Sequence, residues 1–178
     1  MDLVALLKRT EGKSLEFKRD LSAPDGVLKT IVAFANTAGG TLLLGVEDRS
    51  RHVRGVPSPL DLEERLASLI SDHIAPRLVP DLEIVPWRRT HVVAAQVYPS
   101  PARPHFLKRE GLEGGVYVRV GSTNRRADRE LMEELQRFAR GFMHPLLNFV
   151  LGEIVSHQSS RRQNLRDSSM YPAEFLSR

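Results

Sequence analysis

Three acidic residues have the side-chain type and the spacing that could bind a divalent cation. Glu11 and Glu16 flank a short Gly-Lys-Ser-Leu segment, and Asp48 follows the apolar run at 42–46. If the segment around Glu16 forms a strand beside that run, the three carboxylates could converge. Converging carboxylates bind Mg²⁺ or Mn²⁺, and such sites support phosphodiester cleavage. Acids near strand ends also pair with neighbouring Lys or Arg side chains, so the spacing alone leaves both interpretations open.

A set of basic residues could contact a phosphate backbone. Lys18 lies near the end of one expected strand, and Arg119, Arg125 and Arg126 flank the small residues at 121–124. Contacts of this kind supply most of the sequence-independent affinity for nucleic acid. Small residues at a strand-to-helix turn would also present backbone N–H groups to an anion. An ordinary charged rim is the alternative interpretation.

The elements that must position these residues follow from hydrophobic spacing and turn residues. A helix that starts at a capping-box spacing at Ser22 is stopped by the Gly39-Gly40 pair, and the apolar run after it predicts a buried strand. Ser58 marks a second helix start. Further helices are expected over 2–9, 58–73 and 128–140, and strands over 15–18, 41–47, 52–56, 82–87, 91–98 and 116–120.

This order of elements predicts an α/β (α+β) fold with a mixed β-sheet flanked by helices. Residues 1–140 are expected to form one domain. Residues 141–178 are expected to form an extension with a helix over about 145–157 and a disordered remainder. An apolar face on that helix could support a homodimer, and its members are Leu146, Leu147, Val150, Leu151 and Ile154.

Composition limits the classes of function. The 178 residues include no Cys, so disulfides and thiolate metal sites are excluded, and the formal net charge of +4 is compatible with nucleic acid as a partner. No apolar run reaches the ~20 residues of a membrane span, so we expect a cytoplasmic protein without a membrane partner. No phosphate-loop motif supports ATP hydrolysis. The histidines form no zinc pattern, and four of them are expected at the surface or at edges, namely His52, His73, His91 and His105.

Three separated motifs, in the right order, resemble the Schlafen AlbA-like domain over about residues 1–140. They are Glu11-Gly-Lys-Ser-Leu-Glu16-Phe-Lys18, the stretch 33–48, and Tyr117-Val-Arg119-Val-Gly-Ser122. The resemblance implies a mixed-sheet α/β fold and a role in binding DNA or RNA. In Schlafen proteins a three-carboxylate site cleaves structured RNA. By motif, its glutamates correspond to Glu11 and Glu16, and its third acid corresponds to Asp48, with Glu47 adjacent.

Three functions therefore remain open from the sequence. The leading hypothesis is a nucleic-acid-binding module and transcriptional regulator, with the four basic residues on its phosphate-facing side. The second is a ribonuclease of the Schlafen type, with Mg²⁺ or Mn²⁺ held by the three acids. The third is a non-catalytic assembly or adaptor protein that forms a homodimer through its C-terminal helix.

Overall fold

The computed structural model describes residues 1–141, and the chain divides between Ala139 and Arg140. The first unit, 1–139, contains the central sheet and the helices that pack on it. The predicted helix over 145–157, its apolar face and the predicted disordered tail lie outside the described residues. Within the described part, no helix is long and apolar enough to cross a bilayer.

The secondary structure alternates helices and strands and then turns to consecutive strands. The last helix of the described residues, α5, begins at residue 129. Before it, a single 3₁₀ turn spans Lys108–Glu110. The remaining elements, in chain order, are α1 (Leu3–Lys8), β1 (Leu15–Lys18), α2 (Pro24–Asn36), β2 (Gly40–Leu44), α3 (Pro59–His73), β3 (Ile74–Ala75), β4 (Asp81–Trp87), β5 (Thr90–Val97), β6 (Phe106–Leu107), α4 (Gly111–Gly114), β7 (Tyr117–Val120) and β8 (Thr123–Arg126).

The central sheet has four strands in the order β1-β2-β5-β4. β1 and β2 run parallel, whereas β5 is antiparallel to both of its neighbours. Leu42 and Leu44 of β2 enter the core on one face and Leu43 enters the core on the other. All of β2 is consequently buried, as its continuous apolar run predicts. The expected mixed-sheet α/β fold is confirmed.

α2 fills much of the core on one face of the sheet. Its Ile31 and Phe34 side chains have no exposed surface. The helix ends where the Gly39 N–H donates to Phe34 O at 3.0 Å. Gly39 has a φ of +76°, and a Cβ there would lie 2.6 Å from Val97 O. Only glycine fits this close approach without strain, so the predicted helix stop at the glycine pair is confirmed.

Asn36, the last residue of α2, connects the helix to two later segments. The Asn36 Nδ2 donates to His105 O at 2.8 Å and to Tyr117 O at 2.9 Å. The Asn36 Oδ1 accepts from the His105 backbone N–H at 2.7 Å. The prediction that His105 lies at the surface is wrong, because this residue is fully buried. Its ring nitrogens lie 2.9 Å from Pro76 O and 2.7 Å from Ser100 Oγ.

Two predictions of local structure are also wrong. The N-cap of α2 is Ala23, because the Ser22 side chain instead hydrogen-bonds to Asp20. Residues 52–56 form isolated bridges, Val46 with Val53 and Val56 with His91, and not a return strand. β1 and β5 already occupy both edges of β2, so a hairpin partner has no edge to pair with.

Candidate functional site

The parallel pairing of β1 with β2 creates the site, because it aligns the ends of both strands. Lys18 pairs with Leu44 at the C-terminal end of the register. Beyond it, the N–H groups of Gly45 and Val46 both donate to Lys18 O, at 2.9 and 3.2 Å. The segment that carries Asp48 therefore turns back over the end of β1. The prediction that the strand at 15–18 lies beside the strand around 41–47 is confirmed.

Glu11 and Asp48 are brought together at this end of the sheet. The Phe17 N–H donates to Glu11 Oε1 at 2.7 Å, which fixes the carboxyl group over β1. Burial raises the pKa of Glu11 to about 7, assisted by a hydrogen bond with the Asp48 carboxyl and by the negative charge of Glu16. The Glu11 carboxyl group therefore holds its proton to a higher pH than an ordinary glutamate does, next to Asp48.

Glu16 lies close to this pair but is engaged with cations. Its side chain is 8% exposed, Lys18 Nζ binds Oε1, and Arg119 Nη2 binds Oε2. A carboxylate at such a depth is tolerated only when it is paired and hydrogen-bonded. Glu16 is thus part of a buried ion-pair network that joins β1 to β7.

Arg119 is the centre of that network. Its side chain is only 1% exposed. Its Nε donates to Gly12 O at 3.0 Å and its Nη1 to Asn124 Oδ1 at 2.8 Å, while the Asn124 amide donates to Thr30 Oγ1 at 2.8 Å. Arg119 was predicted to lie on a phosphate-facing surface. In the structure its N–H groups instead donate hydrogen bonds inside the protein. Its role in this structure is to tie the β7–β8 hairpin to α2 and to the turn before β1.

These contacts bear on the predicted metal site. Both oxygens of Glu16 are bound by cations, and Glu11 is hydrogen-bonded to the Phe17 N–H and to Asp48. Among residues 1–141, no group of three or more His, Asp or Glu side chains is arranged to hold a metal ion. In this arrangement the three acids do not fit a three-carboxylate Mg²⁺ or Mn²⁺ centre. The metal site expected from the sequence therefore stays a prediction.

The remaining basic residues of the predicted set have exposed surface. Lys18 is 31% exposed beside Glu16, and Arg126 is 60% exposed with its Nη2 3.5 Å from Glu110 Oε2. Arg125 is also exposed on β8. The prediction of an anion-binding strand-to-helix turn at 121–124 is wrong. Gly121 and Ser122 form the turn of the antiparallel β7–β8 hairpin and Thr123 and Asn124 begin β8, so no helix N-terminus follows them directly.

A second basic region was not singled out from the sequence. A cleft of about 590 Å³ lies between the segment 50–53 and the turn that joins β4 to β5. Its lining includes Arg51, Trp87, Arg88 and Arg89. The signal in the sequence is a Trp followed directly by two Arg residues, a basic and aromatic combination typical of nucleic-acid contacts. Between two expected strands, the same Arg pair indicates only a charged turn.

Comparisons with known proteins agree with the motif resemblance. The profile described as Schlafen, AlbA_2 matches residues 11–128. The DIP2311 protein of Corynebacterium diphtheriae superposes with a TM-score of 0.54 at 24% identity, covering 70% of this chain and 24% of that one. The N-terminal domain of a protein from Nitrosomonas europaea, described as related to the ATP-dependent DNA helicase RecG, superposes with a TM-score of 0.50 at 26% identity, covering 70% and 92%. The chain thus spans about a quarter of the DIP2311 protein, and a search of curated proteins gave no match.

Proposed function

This chain belongs to the Schlafen AlbA_2 family, and we propose that it is a nucleic-acid-binding module that acts as a transcriptional regulator. The match over residues 11–128 carries the proposal, because Lys18, Arg125 and Arg126 all fall within it. The description of the Nitrosomonas europaea domain as part of a RecG-related protein supports the same role. A cytoplasmic location belongs to this proposal.

Charge and exposure support a phosphate contact at the β7–β8 hairpin. Arg125 and Arg126 are adjacent on β8 and both are exposed. The Arg126 Nη2 lies 3.5 Å from Glu110 Oε2, and an exposed ion pair at this distance is weak. A phosphate can therefore replace Glu110 as the partner of Arg126. Arg119 acts indirectly in this proposal, because its hydrogen bond to Asn124 holds β8 in place.

The experiment is a fluorescence-anisotropy titration of labelled duplex DNA and structured RNA between about 50 and 200 mM salt. The double variant Arg125→Ala/Arg126→Ala is expected to reduce the slope of log K against log salt by about 1–2. Arg65→Ala, an exposed position on α3, is the matched control and leaves the slope unchanged. Failure to bind either nucleic acid at low salt removes the proposal. Binding of RNA alone keeps the binding module and removes the transcriptional regulator.

A ribonuclease of the Schlafen type is the second candidate function, and the Glu11–Asp48 carboxyl pair favours it. A carboxyl group whose pKa lies near 7 is suited to proton transfer at neutral pH. The test is cleavage of a tRNA-like substrate with added Mn²⁺, by the wild type, by Glu11→Gln and by Asp48→Asn. Cleavage that both substitutions leave unchanged would remove these residues from the reaction.

We also propose that the chain forms a homodimer, and the adaptor role depends on this dimer. Its support is the apolar spacing over 145–157, which lies outside the described residues. Light scattering on the full chain and on the double variant Leu147→Asp/Leu151→Asp tests it. Equal masses for the two proteins would remove the dimer.

A further inference from the structure

We propose that the cleft between the segment 50–53 and the β4–β5 turn binds single-stranded nucleic acid, with a base stacked on Trp87 and phosphates contacted by Arg51, Arg88 and Arg89. This inference rests on the proposed function and deepens it. It assigns a second contact surface, separate from Lys18 and the β7–β8 hairpin, and a class of substrate.

The charge of the cleft is of one sign. Three arginines and His52 line it, and none of the described residues in its lining is acidic. In the part of the chain that the structure describes, Arg88 and Arg89 form no ion pair. Among the described residues, the Arg51 guanidinium has long contacts to the carbonyl oxygens of Lys8 and Arg9, at 3.4 and 3.5 Å, and no ion pair. These guanidinium groups can therefore bind an anion without first breaking a salt bridge.

Trp87 provides a surface for stacking. One part of its side chain packs against the core that contains Leu3 and Val85, and the residue remains partly exposed. The Arg88 guanidinium lies 5.7 Å from the Trp87 ring centroid. A fixed aromatic ring beside guanidinium groups is the arrangement that binds single strands, because every base has a face that can stack.

The two sides of the cleft are held together before any ligand arrives. The Val56 N–H donates to His91 O at 2.9 Å, which joins the segment after 50–53 to β5. Gly55 approaches the neighbouring Thr90 so closely that a Cβ at position 55 would lie 1.8 Å from Thr90 Oγ1. These contacts join the two walls of the cleft, and they reduce the cost of ordering the walls when a ligand binds.

Two arginines of this cleft have an uncommon backbone conformation. Within residues 1–141, the two residues other than glycine with positive φ are Arg51 at 56° and Arg88 at 51°. Both line the cleft, one on each side. Residues other than glycine rarely adopt this conformation, and residues held in sparsely populated backbone regions cluster at active sites and ligand clamps.

Size favours a single strand over a duplex. A cavity of about 590 Å³ is in the range that holds one drug-sized group such as a nucleotide, and a double helix exceeds it. Arginines on both walls allow contacts to successive phosphates, which a mononucleotide does not offer. The favoured ligand is therefore an oligonucleotide with at least one unpaired base.

Intrinsic fluorescence tests the proposal directly, because Trp87 is the single tryptophan of the sequence. The full chain is titrated with an oligothymidylate or oligouridylate of about 12 nucleotides. We expect saturable quenching that weakens as salt is raised. Arg88→Ala/Arg89→Ala is expected to weaken binding roughly tenfold, whereas the control Arg65→Ala leaves it unchanged.

Other outcomes separate the failure of this inference from the failure of the proposed function. Binding of the same labelled oligonucleotide by anisotropy, with constant Trp87 fluorescence and no effect of the Arg88/Arg89 substitutions, overturns the cleft and leaves the module intact. Quenching by thymidine monophosphate at equal affinity overturns the single-strand assignment. Absence of binding to any nucleic acid overturns both.

Discussion

Arg119 donates a hydrogen bond to Glu16 in the protein interior, although the two residues are 103 positions apart in the chain. This pair joins the first strand of the central sheet to a separate two-stranded hairpin. It also determines how substitutions at the candidate site must be interpreted. A loss of activity in Glu16→Ala reports on folding as much as on chemistry, so Glu11 and Asp48 are the better positions for testing catalysis.

Breaking the buried pair is expected to destabilise the fold strongly. Arg119→Met leaves Glu16 with one cation in place of two and should lower the free energy of unfolding by about 3–5 kcal/mol. The double variant Glu16→Met/Arg119→Met should recover part of that loss, because both deeply buried charges are gone and the remaining Lys18 is 31% exposed to solvent. Urea unfolding of the wild type, of the single variants Glu16→Met and Arg119→Met, and of the double variant gives the coupling energy. Strictly additive effects would contradict the pairing.

Glu11 should make stability depend on pH. Its pKa is about 7 in the folded protein against 4.5 ordinarily. The folded state thus binds more protons, and stability present below pH 4.5 is lost as pH rises through about 7. Because the group is partly exposed, we expect a loss of about 1 kcal/mol. Glu11→Gln should flatten this slope in urea unfolding of EDTA-treated protein, and identical pH profiles for both proteins would refute the assignment.

His105 should act in the opposite direction. Burial lowers its pKa below the ordinary 6.5, assisted by the nearby charge of Arg103. The unfolded state then binds the proton more tightly, so stability falls as pH drops below 6.5 towards the folded-state pKa. An NMR titration of the His105 ring in the folded protein should give a midpoint under 6.5. A midpoint above that value would contradict a buried, neutral ring.

Gly39 should not tolerate a side chain. Gly39→Ala combines a φ of +76° with a Cβ at 2.6 Å from Val97 O, and should cost about 2–4 kcal/mol. Gly26→Ala is the matched control, because a Cβ at this position in α2 meets nothing within 4 Å. Alanine there should raise stability by about 0.5–1 kcal/mol. Thermal unfolding should therefore shift in opposite directions for the two variants.

The sequence predicted the features that depend on local pattern. The buried strand β2, the helix stop at Gly39 and the contact between Glu11 and the segment of Asp48 all follow from apolar runs, a glycine pair and parallel strand adjacency. These signals are local, or require only that two apolar strands be neighbours. The mixed sheet could be derived from them.

The features that depend on distant partners could not be predicted. Arg119 alternates with apolar residues in its strand and so reads as a surface residue, because nothing near it in sequence reveals Glu16 as its partner. β8 has the polar sequence Thr-Asn-Arg-Arg, and it forms a strand through pairing with β7 and the bond of Asn124 to Thr30. Nothing near His105 in the sequence indicates that the buried Asn36 side chain accepts a hydrogen bond from the His105 backbone N–H.

The position of Asn36 has a consequence for how this chain is made. Its side chain closes α2 against His105 and Tyr117, which lie 69 and 81 positions later. At a synthesis rate of ~5–20 residues per second, several seconds separate the helix from the partners of its last side chain. During that time the Asn36 amide hydrogen-bonds to water, and the end of α2 lacks the segments that later pack against it. The C-terminal end of α2 can therefore reach its native contacts only after the chain has been synthesised through Tyr117.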